Sequence, residues 1–276
     1  MLCTLAKSTH RIAGITTLEE KLFLLRCRDS DQIEIYSIVG PSPRFSLQRH
    51  ISLPRLYRDD WNDMTSSTKH RCLYVSNFSM NRIQRVNPAD GSITYWPLPD
   101  APCGLSVTRN DHLVVTFQDA QKPGRVMEMN GSGECVRRMA LEEGMLWSWH
   151  AVEVRSSIAQ GQYLVCHGYY DQHNHQVSLV GAADGRKFRS FGGIPGADVD
   201  QLYVPYHLAI AVDGFVYVAD HHNGRVVVLS PELEFVGCFA SQEGELSSRP
   251  RRLCFDATSR LLYVGQDDGT VAVFKL

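Results

Sequence analysis

The chain has 276 residues, and 28 Lys and Arg against 30 Asp and Glu leave a formal net charge of −2. With 43 % hydrophobic and 21 % charged residues it has the composition of a folded globular protein, which excludes a disordered or collagen-like chain. No run approaches 18 apolar residues, so a membrane-spanning helix is excluded.

Residues 1–7 have neither a basic opening nor a long apolar stretch, so they read as a poor signal peptide and as a spare strand over 2–7. From there one short strand recurs along the chain: Leu22-Phe23-Leu24, Leu73-Tyr74-Val75, Leu113-Val114-Val115, Tyr163-Leu164-Val165, Val216-Tyr217-Val218 and Leu262-Tyr263-Val264. Their third residues (24, 75, 115, 165, 218 and 264) are 51, 40, 50, 53 and 46 apart. Uneven intervals argue against a strictly layered solenoid and suit a propeller, whose loops lengthen blade by blade.

The grammar around that strand repeats. A strand precedes it, at 104–107, 150–154, 207–212 and 252–255, and forms the innermost strand of each unit. A polar turn and a third strand follow, opened by Asn81-Arg82-Ile83, Gly124-Arg125-Val126, Gly224-Arg225-Val226 or Gly269-Thr270-Val271. Tight turns such as Asn87-Pro88-Ala89-Asp90-Gly91 and Ala183-Asp184-Gly185 lead to a fourth strand. Gly and Asn there accept positive φ, and Pro pre-sets its own. Four strands in about 45 residues is the arithmetic of a propeller blade, and helical periodicity is absent. The last unit reaches Leu276 after three strands, so the spare N-terminal strand is expected to complete it and close the ring. The predicted fold is all-β: a six-bladed β-propeller of four-stranded antiparallel blades, as one domain over 1–276. The approximate blades are 11–53, 61–98, 102–141, 149–192, 205–240 and 249–276, plus the closing strand 2–7.

The stretch from Pro205 to Val226 (Pro205-Tyr206-His207…Ala211-Val212-Asp213-Gly214…Tyr217-Val218-Ala219-Asp220…Asn223-Gly224-Arg225-Val226) resembles the NHL-repeat family of six-bladed propellers. Weaker copies lie over 73–86, with Asn77 where the family prefers Asp, and over 253–273, with Gln266 there. The resemblance covers the whole chain and implies three classes of role. Many members bind proteins or structured RNA on one face of the disc, as in tripartite-motif proteins. Some are extracellular interaction modules. A peptide-amidating lyase of similar fold is a metal-dependent enzyme with His ligands near its central channel. No RING, B-box or coiled-coil segment is present to support a ligase.

Blades four and five hold the most unusual composition, including Trp147, Trp149, His150, His167, Tyr169, Tyr170, Tyr203, Tyr206, His207, His221 and His222. His150 and His207 both start innermost strands, so the two imidazoles are expected to share the space at the channel. A zinc or calcium site would need His167 or His221 to complete the set, because the equivalent positions elsewhere are Gly104 and Arg252. Hydrogen-bonded rim histidines are the favoured reading, and no cofactor is expected.

A binding rim is the favoured functional reading, since clustered Trp, Tyr, His and Arg on one face match interface hot spots. The residues chosen as its contacts are Trp149, Tyr170, Tyr206, His207 and His221, with Arg251 and Arg252 supplying charge. Aromatics wedged between blades are the alternative. The expected partner is a protein or peptide, with single-stranded or hairpin RNA second; no membrane or DNA is expected. Arginines number 22 against six lysines and cluster at Arg71 with Arg82 and Arg85, at Arg137-Arg138, at Arg186-Lys187-Arg189 and at Arg249-Pro250-Arg251-Arg252. The overall charge is nonetheless slightly negative, unlike a usual nucleic-acid binder. Arg82, Arg125 and Arg225 fill the family's recurring Arg position, which points to a structural role between blades. No G-x-S-x-G, P-loop or H-E-x-x-H motif occurs, and the pairs Asp59-Asp60, Glu142-Glu143 and Asp267-Asp268 read as solvated loops. Eight scattered cysteines without a C-x-x-C read as free thiols of a cytosolic protein, with a secreted domain held by cross-blade disulfides as the alternative.

Overall fold

Short β-branched and aromatic runs bounded by Gly, Asn, Asp and Pro favour hairpins over helices. The computed structural model, which describes residues 1–5, 10–26, 32–40, 43–54, 63–117, 123–154, 161–169 and 174–276, resolves these runs into 24 strands. Blade one is β2 (Ile12–Leu18), β3 (Lys21–Arg26), β4 (Gln32–Val39) and β5 (Arg44–Ser52), after β1 (Cys3–Leu5). Blade two is β6 (Met64–Ser67), β7 (Cys72–Asn77), β8 (Arg82–Val86) and β9 (Ile93–Pro97). Blade three is β10 (Pro102–Val107), β11 (Leu113–Phe117), β12 (Arg125–Met129) and β13 (Cys135–Ala140). Blade four is β14 (His150–Val154), β15 (Gln162–His167), β16 (His175–Gly181) and β17 (Lys187–Gly193). Blade five is β18 (Pro205–Ile210), β19 (Val216–Asp220), β20 (Arg225–Leu229) and β21 (Phe235–Ser241). Blade six is β22 (Pro250–Asp256), β23 (Leu261–Gln266) and β24 (Val271–Lys275).

Each blade is a four-stranded antiparallel sheet, and the sixth is completed by β1, whose Cys3 pairs with Val273 and Leu5 with Val271. The expected six-bladed propeller and its closure are thus observed. Two single-turn 3₁₀ segments, Phe78–Met80 and His221–Asn223, join the second and third strands of blades two and five. No α-helix occurs among the described residues, and no helix is long and apolar enough to cross a membrane.

The second strand of every blade is buried almost throughout, whereas outer strands such as β5 face solvent. A second strand has strands on both edges and a neighbouring blade on each face, which is why it reads as a continuous apolar run. The core divides accordingly into six clusters, one per blade interface. Close approach of inner strands demands glycine at two interfaces. A Cβ on Gly14 would lie 2.5 Å from the Met64 Cβ, and one on Gly104 would lie 2.1 Å from the Trp149 carbonyl oxygen.

The disc has two unlike faces. One carries the connections between blades and those between second and third strands, and is called the loop face here. The other carries the tight turns between first and second and between third and fourth strands, and is called the turn face.

Candidate functional site

The innermost strand of each sheet turns an unpaired backbone edge toward the axis, and buried N–H and C=O groups there need partners. Side chains at the loop-face end of these strands supply them across blade boundaries. The His150 Nδ1 accepts from the Leu208 amide at 3.3 Å, and the His207 Nδ1 accepts from the Leu253 amide at 3.4 Å. The Asp63 Oδ2 accepts from the Leu105 amide at 2.9 Å, and the Arg252 Nε donates to the Ala13 carbonyl at 2.7 Å. Four side chains thereby stitch blade two to three, four to five, five to six, and six to one.

The same four side chains meet one another. The His150 and His207 rings stack with centroids 3.7 Å apart, as expected of two imidazoles sharing the channel. The His207 Nε2 lies 3.3 Å from the Asp63 Oδ2, and the Arg252 Nε lies 3.2 Å from the Asp63 Oδ1. Burial pushes the Asp63 carboxyl up, but Arg252, then His207 and His150, more than reverse this and hold it below the usual carboxylate range. Burial holds both histidines below their ordinary value; it outweighs the Asp63 charge at His207, and at His150 the neighbouring His207 adds to it.

Asp63, His150 and His207 bring one potential ligand atom each within 4.8 Å of one another. Their hydrogen bonds do not fit a metal. Because each Nδ1 accepts a backbone N–H, each ring carries its proton on Nε2. That proton goes to the Leu105 carbonyl from His150, at 3.0 Å, and to Asp63 from His207. No imidazole lone pair points into the cluster, and the carboxylate already faces a guanidinium. His167 bonds instead to Ser178 at 2.9 Å, and burial holds it down to about 3. His221 bonds to Asp267 at 2.9 Å.

Above this layer, on the loop face of blades four to six, stands an array of rings. Trp147 packs on Tyr169 and Trp149, and Trp149 stacks on Tyr206 with centroids 4.3 Å apart. The Arg251 guanidinium lies 4.7 Å from the Tyr206 ring centroid, and His221 packs against both the Tyr206 ring and His222. Tyr203 completes the array beside His222 and His175. Of the residues chosen as contacts, Trp149, Tyr206, His207, His221, Arg251 and Arg252 are 2–7 % exposed, and Tyr170 lies outside the described residues. The described six therefore form an underlayer between blades. Trp147, Tyr169, Tyr203 and His222 are the half-buried members that reach the surface. In the connection before Tyr203, Ile194 and Val199 are exposed apolar side chains.

Two details fix this surface. Trp147 and Val204, each three residues before the paired histidines His150 and His207, have φ of 55° and 56°, a left-handed backbone that non-glycine residues rarely adopt. Arg225 pairs with Asp220 at 2.8 Å and donates to the carbonyls of Ala197, Asp198 and Gln201, pinning the connection between blades four and five. The recurring arginines are braces elsewhere too: Arg125 pairs with Asp100, and Arg82 lies over the Tyr95 ring.

Sequence reasoning missed Asp63, which occupies in blade two the position of His207 in blade five; its signal was its place just before an inner strand, with its backbone paired to Ser76. One expectation needs correcting. Asp267 is not a solvated loop residue, because His221 and Arg251 draw it into the blade five–six interface; burial there raises its carboxyl, but the His221 hydrogen bond and Arg251 hold it below the usual range. Glu142 and Glu143 are exposed as expected, while Asp59 and Asp60 lie outside the described residues.

No protein-family profile matches the chain, and a sequence search of curated proteins finds no match. Solved structures match the fold. Selenomethionine virginiamycin B lyase from Staphylococcus aureus aligns with a TM-score of 0.63 at 14 % identity, over 99 % of this chain and 98 % of that one. A catalytically inactive variant of the S. aureus enzyme with quinupristin aligns at 0.60 and 14 % identity, over 99 % and 87 %. A streptogramin B lyase aligns at 0.61 and 13 % identity, over 99 % and 84 %. At such identities the likeness is one of fold.

Proposed function

We propose that the chain is a non-catalytic binding platform of the NHL type, taking a protein or peptide on the loop face of blades four to six. The observation that carries this reading is the set of half-buried rings, Trp147, Tyr169, Tyr203 and His222, seated on a buried aromatic and charged underlayer. Exposed Ile194 and Val199 extend it with apolar surface. Rings braced from below lose little entropy on binding, which favours affinity. The left-handed backbone at Trp147 costs on the order of 1–3 kcal/mol, and such strain clusters at functional positions.

The alternatives draw less support. For RNA, Arg251 and Arg252 are engaged with Asp267, Tyr206 and Asp63, leaving Arg249 as the exposed cation of that cluster. For a metal-dependent lyase or hydrolase, the tautomers of His150 and His207 leave no ligand lone pair at the channel. Free thiols at all seven described cysteines support a reducing, cytosolic setting.

The test is affinity capture with the wild-type chain and with a Trp147→Ala, Tyr203→Ala double variant, followed by titration of each purified partner. A protein partner whose affinity drops at least tenfold in the double variant, consistent with two hot-spot rings, supports the placement. A partner set that ignores both rings rejects it, and a captured RNA whose affinity falls steeply with salt replaces the protein reading. Stoichiometric zinc or calcium lost on His150→Ala would bring the enzyme reading forward.

A further inference from the structure

A second concavity lies far from the rings, on the turn face between blades one and two. It encloses about 610 Å³ and is bordered by Lys21 and Arg49 of blade one and by His70, Arg71 and Arg85 of blade two. Glu19 is the single carboxylate among its lining residues, against four permanent cations. The arginine cluster that sequence alone picks out near Arg71 therefore divides. Arg82 goes to the Tyr95 ring, while Arg71 and Arg85 turn to this cleft.

The cations are held in different ways. Arg85 sits on β8 opposite Tyr74, with its guanidinium against Tyr74 and Cys72, and its buried Nε finds no acceptor among the described residues. Arg49 crosses the cleft from blade one and donates through Nη2 to the Pro88 and Ala89 carbonyls in the turn after β8. A guanidinium has five N–H donors, so these bonds orient Arg49 without exhausting it. Arg71, held at φ 47°, pairs with Glu19 at 2.6 Å in an exposed contact of the kind that competes poorly with a stronger anion. Phe23 and Ile35 supply an apolar wall.

We infer that this cleft binds a phosphoryl dianion carried on a small organic group, with Arg85 and Arg71 as its principal ligands and Arg49 and Lys21 closing the charge. Forked guanidinium donors match the tetrahedral oxygens of phosphate. The same chemistry arises from a free phosphate compound or from a phosphorylated side chain on a peptide. The site is independent of the aromatic face.

The test titrates the full chain at low salt with two probes, inorganic pyrophosphate and a phosphoserine pentapeptide, by calorimetry. Saturable one-to-one binding is expected for at least one. Binding of the peptide in competition with pyrophosphate assigns the source to a chain-borne group, and pyrophosphate alone assigns it to a free one. Arg85→Gln should weaken binding roughly tenfold or more, as loss of a charged hydrogen-bond donor does. Arg71→Asn, whose side chain tolerates positive φ, should weaken it a few-fold, and Glu19→Gln should tighten it, since a competing carboxylate is removed. These last two substitutions touch only exposed side chains, so they report on the site even if Arg85→Gln disturbs folding. Absence of saturable binding to either probe, or binding indifferent to Arg71→Asn and Glu19→Gln, overturns the assignment.

Discussion

The two ends of the central channel are built from the same six strands yet differ in kind. At the loop-face end Asp63, Arg252, His207 and His150 meet across the axis and fill it. Toward the turn face the inner strands carry Thr16, Ser66, Ser106, Val152 and Ala209, and a cavity of about 860 Å³ remains. Its hydroxyls bridge adjacent blades: the Ser106 Oγ donates to the Ala151 carbonyl at 2.6 Å, and the Thr16 and Ser66 hydroxyls pair at 2.9 Å. Short side chains reach only the adjacent inner strand and leave the axis open. Long charged ones satisfy a neighbour's edge and close it. Histidine and aspartate at this end of the channel take the place of the missing strand that an inner edge would otherwise require.

The largest expected effect breaks the filled end. Arg252→Met leaves Asp63 buried without its guanidinium and should cost about 3–5 kcal/mol in urea unfolding, with part regained by adding Asp63→Asn. A loss under half of that would mean that His207 and backbone amides suffice for the carboxylate. Next, Gly104→Ala sets a Cβ against the Trp149 carbonyl and should cost roughly 1–3 kcal/mol while loosening the underlayer of rings, visible in Trp fluorescence.

Acid provides a third probe. His150, His167, His207 and His221 all have folded values depressed by burial, so below their ordinary value near 6.5 the unfolded chain binds protons the folded chain refuses. Stability should therefore be full above about pH 6.5 and fall as pH drops, by up to about 1.4 kcal/mol per pH unit from His167 alone on the way to its value of about 3. Asp63 and Asp267, held low, add their losses only below the usual carboxylate range. A melting temperature flat between pH 6.5 and 5 would contradict the neutral stack. The smallest effect belongs to the hollow end, where Ser106→Ala should cost about 1 kcal/mol.

The ring was legible because each blade is written locally: its strands pair with sequence neighbours through short turns. The paired histidines were legible too, since His150 and His207 hold equivalent places. Asp63 was less so, because it precedes an inner strand of only four residues, β6, and its place there is the single signal it carries. Exposure of the aromatics was equally hidden. Whether Trp149 faces solvent depends on Tyr206 of the next blade lying over it, and an isolated strand pattern holds no record of its neighbour's side chains.

The closing strand has a consequence in time as well as in space. Cys3 pairs with Val273, the Arg26 Nη1 donates to the Gly269 carbonyl, and Arg252 reaches Ala13, so blade one is fastened to blade six by contacts that span nearly the whole chain. During synthesis the first five blades can pair as they emerge, but these fasteners must wait for the strands of blade six. Until then both flanks of an open arc stay exposed, and β1 is an unpaired strand able to add to the wrong edge. Ring closure is thus the step that waits on the most distant partners, and the two arginines join the flanks independently of β1.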